Sequence, residues 1–213
     1  MDFLNDLIGI VLHVDKNLIT LVDTFGIWTY VILFLVIFCE TGLIIFPFLP
    51  GDSLLFAAGA VAGTTGNLNV FWLIVVILLA AILGNTVNFS VSRYFGHKFV
   101  ENGKIKYIKQ EHIDKTHRFY EKHGAKAIIL SRFLPIFRTF VPFVAGVGQM
   151  DAKKFTLYNV IGALLWVPPL ILTGWMLGSN EFVQKNFSFI VLGLIVVTII
   201  PTLVAGLSKS FGK

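Results

Sequence analysis

Four ionisable side chains stand in stretches of sequence that are otherwise apolar: Glu40, Asp52, Arg132 and Arg138. An arginine offers a planar fork of donors that matches the oxygens of a phosphate, and a carboxyl can take up and release a proton. Two acids and two arginines therefore point to a polar cavity for an anion, with titratable groups beside it. The same four residues would also suit a structural salt-bridge cluster that fixes two segments together. Insertion scales put a charge at mid-span at roughly 2.5 to 3.5 kcal/mol, so four cost on the order of 10 kcal/mol unless paired or hydrated. Charge retained in an apolar segment is functional by default.

The setting of these residues is a lipid one. Of 213 residues, 56% are hydrophobic and 14% charged, against about 25% charged in a soluble domain. A mean hydropathy of +0.82 points the same way. This composition excludes a water-soluble enzyme, a disordered chain and a disulfide scaffold, and indicates an integral membrane protein. The formal charge of +5 reports topology before it reports nucleic acid, because nine of the 17 Lys and Arg fall between positions 93 and 126. Four acids are mixed into that block, so it reads as a solvated face. Cys39 is the only cysteine and lies in an apolar run, which excludes an intrachain disulfide and a thiol metal site. The N-terminus lacks a basic region and carries Asp2 and Asp6, so no cleavable signal peptide is expected.

The elements that must position the four residues follow from periodicity and breakers. Within residues 1–26, Leu4, Leu7, Ile8, Val11, Leu18, Leu21 and Val22 recur at helical spacing, with acids and other polar residues largely opposite. An amphipathic helix at the membrane interface is the expectation. Residues 27–63 are apolar apart from Glu40 and Asp52, and are interrupted by Pro47, Pro50 and Gly51. About 20 residues cross a bilayer, so this stretch is two spans or a re-entrant hairpin. Breakers next to a buried acid favour the hairpin, since irregular backbone at membrane depth must line protein or a polar cavity. Residues 64–69 form an uncharged loop, and 70–92 a span. Residues 93–124 form the charged segment, with a surface helix expected over about 105–122. Residues 125–150 are again apolar but hold Arg132, Pro135, Arg138, Pro142 and Gly146. Two further spans are expected at 155–177 and 187–207.

The halves share one layout: a Pro-broken apolar segment with charge inside it, a short loop, then a continuous span. If both broken segments are re-entrant they enter from opposite faces, which makes an inverted repeat with a binding site near the midplane. The expected fold is therefore an all-α integral membrane protein, an inverted repeat of two opposed re-entrant helical hairpins each followed by transmembrane helices. Residues 27–208 form its single membrane domain. Lys153, Lys154, Lys209 and Lys213 fall on the same side as the 93–124 block, and the positive-inside rule makes that side cytoplasmic.

Other polar residues carry weaker signals. Asn159 is a possible headgroup contact; Asn85 and Asn88 could also hydrogen-bond a headgroup, although contact between helices serves all three equally well. His97, His112, His117 and His123 lie in the charged block, and no two stand four apart as a metal pair on a helix would. Trp28, Trp72, Trp166 and Trp175 read as interface or packing residues. Gly59, Gly63 and Gly66 read as packing and turn glycines. No metal or cofactor is expected.

Two motifs are more specific than composition. Glu40 followed by Pro47-Phe48-Leu49-Pro50-Gly51-Asp52, and later Arg132-x-x-Pro135-x-x-Arg138-x-x-x-Pro142-x-x-Ala145-Gly146, resemble the signature of the DedA family. These are bacterial relatives of the eukaryotic VTT-domain lipid scramblases. The resemblance continues through Phe155, Asn159, Gly162 and Trp166, and covers roughly residues 25–180. A further stretch from Gly84 to Gly96 is similar to a family element but departs from it at Asn85, Phe89 and Ser92. The resemblance implies two opposed re-entrant hairpins in the bacterial cytoplasmic (inner) membrane. It also implies translocation of undecaprenyl phosphate for recycling of the carrier lipid in cell-wall synthesis. By that resemblance Arg132 and Arg138 bind the phosphate headgroup, Glu40 and Asp52 couple transport to protons, and Pro47, Pro50, Gly51, Pro135, Pro142 and Gly146 shape the hairpins.

Three other classes compete. An energy-independent phospholipid scramblase would share the hairpins. A proton-coupled exporter of small cations or drugs would use Glu40 and Asp52 but has no need of two buried arginines. A lipid phosphatase would need a nucleophile or histidine beside the arginines, and the 125–150 segment holds Ser131 but no His. The expectation is a transporter and not an enzyme.

Overall fold

A computed structural model describes residues 14–43, 51–101, 126–186, 189, 190 and 193. Several features read from the sequence lie outside these residues: the start of the N-terminal helix, the Pro47–Pro50 breakers, the 105–122 surface helix and nearly all of the 187–207 span. The described residues form helices and turns, with no strand among them. Two of the helices are long and apolar enough to cross a membrane, Val70–Phe95 and Ala152–Gly178.

The chain divides into two compact units, and α2, α4 and α7 contribute residues to both. The first unit contains α1 (Val14–Phe25), the start of α2 (Trp28–Gly42), α3 (Gly51–Thr65), the start of α4 (Val70–Glu101) and the end of α7 (Ala152–Gly178). Helix α1 buries Leu18 and Val22 and packs on α3. It stops at Gly26, whose φ of +51° lets its N–H return to the Val22 carbonyl at 2.8 Å. Asn69 starts α4, its side-chain oxygen accepting from the N–H groups of Phe71 (3.0 Å) and Trp72 (3.3 Å).

Helix α3 is built from small residues, and backbone contact is the reason. A methyl group at Gly59 or Gly63 would overlap the carbonyl of Ile171 or Trp175 on α7. In return, one at Gly174 or Gly178 would overlap the backbone of Phe56 or Ala60. Glycines spaced by four on both partners put the helix axes as near as backbones allow, the usual packing where lipid supplies no hydrophobic drive.

The second unit holds the end of α2, most of α4, α5 (Lys126–Ser131), α6 (Pro135–Val147) and the start of α7. Its apolar centre is Phe89, Ile128, Ala145 and Phe155. The rings of Phe89 and Phe155 stack with centroids 4.0 Å apart. Helix α4 runs nine residues past the expected end at 92, so the charged segment begins on a helix, with Arg93 reaching the Met150 carbonyl at 3.1 Å. Residues 126–150 do not make one helix. Pro135 disfavours helical geometry in the residue before it, and Leu134 is extended at φ −122°, ψ 110°. Bonds from the N–H groups of Arg132, Phe133 and Leu134 to carbonyls three residues earlier close the turn. Arg132 therefore sits on the break, and Arg138 in the first turn of the helix that follows.

Candidate functional site

The polar site of the second unit is assembled by close helix approach. Gly42 on α2 meets Gly84 on α4, where a methyl at Gly42 would come within 3.2 Å of the Gly84 carbonyl. A methyl at Gly146 on α6 would overlap the α4 backbone at Phe89. Gly162 on α7 leaves room for the stem of Arg132, whose Cδ would lie 2.9 Å from an added methyl. These glycines let four polar groups on different elements reach a common neighbourhood.

Among the described residues, the buried charged side chains are Glu40, Arg132 and Arg138, at 0%, 1% and 3% exposure. Arg138 Nη2 pairs with Glu40 Oε1. Arg132 Nη2 donates to Asn159 Oδ1 at 2.6 Å and to the Ala81 carbonyl at 3.3 Å. The Asn159 amide nitrogen donates to the Ile82 carbonyl (3.0 Å) and Thr86 Oγ1 (3.2 Å), which turns its oxygen toward Arg132. Asn85 Nδ2 donates to Asn159 Oδ1 at 3.2 Å; with its amide turned over, Nδ2 donates instead to the Thr41 carbonyl at 3.2 Å and Oδ1 accepts from Arg132 Nη2 at 3.1 Å. Asn88 Nδ2 donates to the Thr139 carbonyl at 2.9 Å.

Among the described residues, one buried carboxylate and two buried guanidiniums share this neighbourhood, and Arg138 lies in the first turn of α6, where the backbone dipole favours an anion. A phosphate group, with several acceptor oxygens and negative charge, is the chemical complement of such a cluster.

Asp52 belongs to the first unit, in the first turn of α3, where a carboxylate suits the helix dipole. Trp166 Nε1 donates to its Oδ1 at 2.8 Å. This amends the reading of Trp166 as an interface or packing residue: it is 2% exposed and serves as a hydrogen-bond donor to an acid. Trp28, Trp72 and Trp175 are exposed. Gly51 is the first, buried residue of α3; Pro135 begins α6; and Pro142 lies buried inside it. Pro47 and Pro50 lie outside the described residues. Asn159 is committed to Arg132 and α4, so its amide acts here as the partner of an arginine.

Sequence reasoning missed the acceptors that surround Arg132, the Asp52–Trp166 bond and the role of Gly162. The available signal was spacing. Asn85 and Asn88 stand three apart on an apolar span, one face of a helix, while Phe155, Asn159, Gly162 and Trp166 repeat at intervals of four, three and four.

Sequence comparison with known proteins places the chain in a family. The VTT domain matches residues 49–176. Protein DedA of Escherichia coli strain K12 is 52% identical over 202 residues, covering 94% of this chain and 92% of that protein. An uncharacterized membrane protein of Mycobacterium leprae strain TN is 37% identical over 170 residues, covering 80% and 76%. The inner membrane protein YqjA of Escherichia coli strain K12 is 31% identical over 156 residues, covering 73% and 70%. No solved structure matches the chain.

Proposed function

Because the chain belongs to the DedA family of VTT-domain membrane proteins, we propose that it moves undecaprenyl phosphate across the bacterial cytoplasmic membrane. The lipid returns by this route to the leaflet where cell-wall synthesis reuses it, and its passage is linked to protons. The observation that supports this reading is the pair of buried guanidiniums, Arg132 on the break before α6 and Arg138 in its first turn, with the buried Glu40 carboxylate paired to the second. A lipid monophosphate presents acceptor oxygens and negative charge to such guanidiniums, while its tail stays in hydrocarbon. Arg132 and Arg138 hold the headgroup; Glu40 and Asp52 carry protons. The protein transports a lipid and performs no covalent chemistry on it.

The architecture that goes with this function is an inverted repeat of two re-entrant hairpins in a multi-pass membrane domain. Helices α2 and α3 have 15 residues each, a length of about 22 Å against a hydrocarbon core of about 30 Å. The 126–150 segment is broken at Arg132–Leu134, and α6 has 13 residues. Lengths of this kind favour entering and leaving by the same face. Cysteines placed at Phe48 and Phe137, with Cys39 changed to serine, test it: each should be labelled from one bulk phase only, and from opposite sides. Free labelling of both from the cytoplasm would remove the hairpins.

The function is tested in liposomes. Purified protein should accelerate the exchange of labelled undecaprenyl phosphate between leaflets, and an imposed pH gradient should change that rate. Equal acceleration of ordinary phospholipids without regard to the gradient would indicate an energy-independent scramblase instead.

A further inference from the structure

Glu40 and Arg138 form their pair from separate elements, α2 and α6. Neither element sets the other's register, and both have irregular backbone where they meet. Helix α2 ends at Gly42, and the carbonyls of a last turn have no donor within the helix. Thr41 is 1% exposed, so its carbonyl draws its donor from protein. In α6, Pro142 has no N–H to offer the Arg138 carbonyl four residues earlier, so the helix there lacks one bond of its own ladder.

Both irregular stretches are gripped from α4. Asn88 Nδ2 donates to the Thr139 carbonyl at 2.9 Å and faces the Thr41 carbonyl at 3.5 Å. One turn earlier, Asn85 Nδ2 reaches that same Thr41 carbonyl at 3.2 Å when its amide is turned over. Thr41 follows Glu40 and Thr139 follows Arg138, so the Asn88 amide alone contacts the residue next to each charge. The close approaches at Gly84 and Gly146 bring both backbones within reach of it. Being neutral, the amide does this without adding a third charge to the pair.

We propose that Asn88 is a positioning residue for the Glu40–Arg138 pair, tying the backbone beside each partner to one point on α4. It acts through the two carbonyls and sets where the guanidinium and the carboxylate meet. Arg132 is held by other groups, the Asn159 amide and the Ala81 carbonyl, with Asn85 beside it, so removing Asn88 leaves its contacts in place.

That separation gives the test. Full-length protein labelled with nitrogen-15 arginine, reconstituted in lipid nanodiscs, lets guanidinium proton exchange be followed at Arg132 and Arg138 individually. Asn88→Ala is expected to speed exchange at Arg138 about tenfold, while Arg132 stays within about twofold of wild type, as local opening confined to one contact requires. Asn159→Ala should give the reverse pattern. Asn88→Ser carries the same expectation and replaces Asn88→Ala should the latter fail to insert. Equal acceleration at both arginines would mean general loosening and overturn the proposal, as would unchanged exchange at Arg138. The nanodiscs contain no undecaprenyl phosphate, so the result stands apart from the proposed transport activity.

Discussion

Arg138→Ala is expected to abolish transport of undecaprenyl phosphate, and to do so for two reasons that a second substitution separates. The change removes a cation paired with Glu40, a carboxylate at 0% exposure. Removing one member of a buried pair costs about 3–5 kcal/mol. Stability should therefore fall along with transport. In Arg138→Ala combined with Glu40→Gln that carboxylate charge is gone as well, so folded protein should recover while transport does not. Arg132→Ala should also stop transport, with about 1–3 kcal/mol of stability lost with its bonds to Asn159 and the Ala81 carbonyl. Lysine at either position keeps the charge but not the planar fork, and should restore only part of the rate. Leaflet exchange in liposomes, normalised to folded protein from size-exclusion chromatography, measures all of these. Full activity with lysine at both positions would discard two-point recognition of phosphate by the arginines.

The second large effect concerns proton coupling, where the two acids should behave differently. Glu40 is paired with Arg138, which on the proposed mechanism also takes the phosphate. Protonating Glu40 would then release Arg138 to the lipid headgroup, and deprotonating it would return Glu40 as a competitor for the same guanidinium. Glu40→Gln fixes the neutral form, so lipid phosphate should still bind and move, but the rate should lose its response to an imposed pH gradient. Asp52 accepts from the indole of Trp166 and sits in the first turn of α3. Asn at that position keeps an oxygen for the Trp166 N–H, so Asp52→Asn should retain the contact and be milder. Trp166→Phe removes the donor and should perturb transport more than Asp52→Asn. Rates measured at several imposed gradients, inside-acid and inside-alkaline, check this ordering. Gradient dependence equal to wild type in both Glu40→Gln and Asp52→Asn would take these acids out of the coupling.

Much of this protein is determined by its sequence alone, because the relevant physics is local or additive. Hydropathy summed over a window makes α4 and α7 long and apolar enough to cross a membrane. The geometry of the residue before proline breaks the chain at Leu134 and leaves Arg132 on the break with Arg138 one turn into the next helix. The rarity of charge in apolar segments singles out Glu40, Asp52, Arg132 and Arg138 before any fold is known. Partner choice was decided only by tertiary structure. Nothing in the sequence says that Glu40 pairs with Arg138 while Arg132 turns to Asn159, because those contacts span 98 and 27 positions along the chain. They depend on how closely helices approach. That distance is set by glycines at 42, 84, 146 and 162, whose lack of a side chain is visible in the sequence but whose opposing backbones are not. The same holds for Trp166, which reads as a membrane aromatic until α7 brings its indole to Asp52, 114 residues earlier. A side chain's burial and hydrogen-bonding partner belong to the packed helices, and so the roles of its amides and indole were settled there.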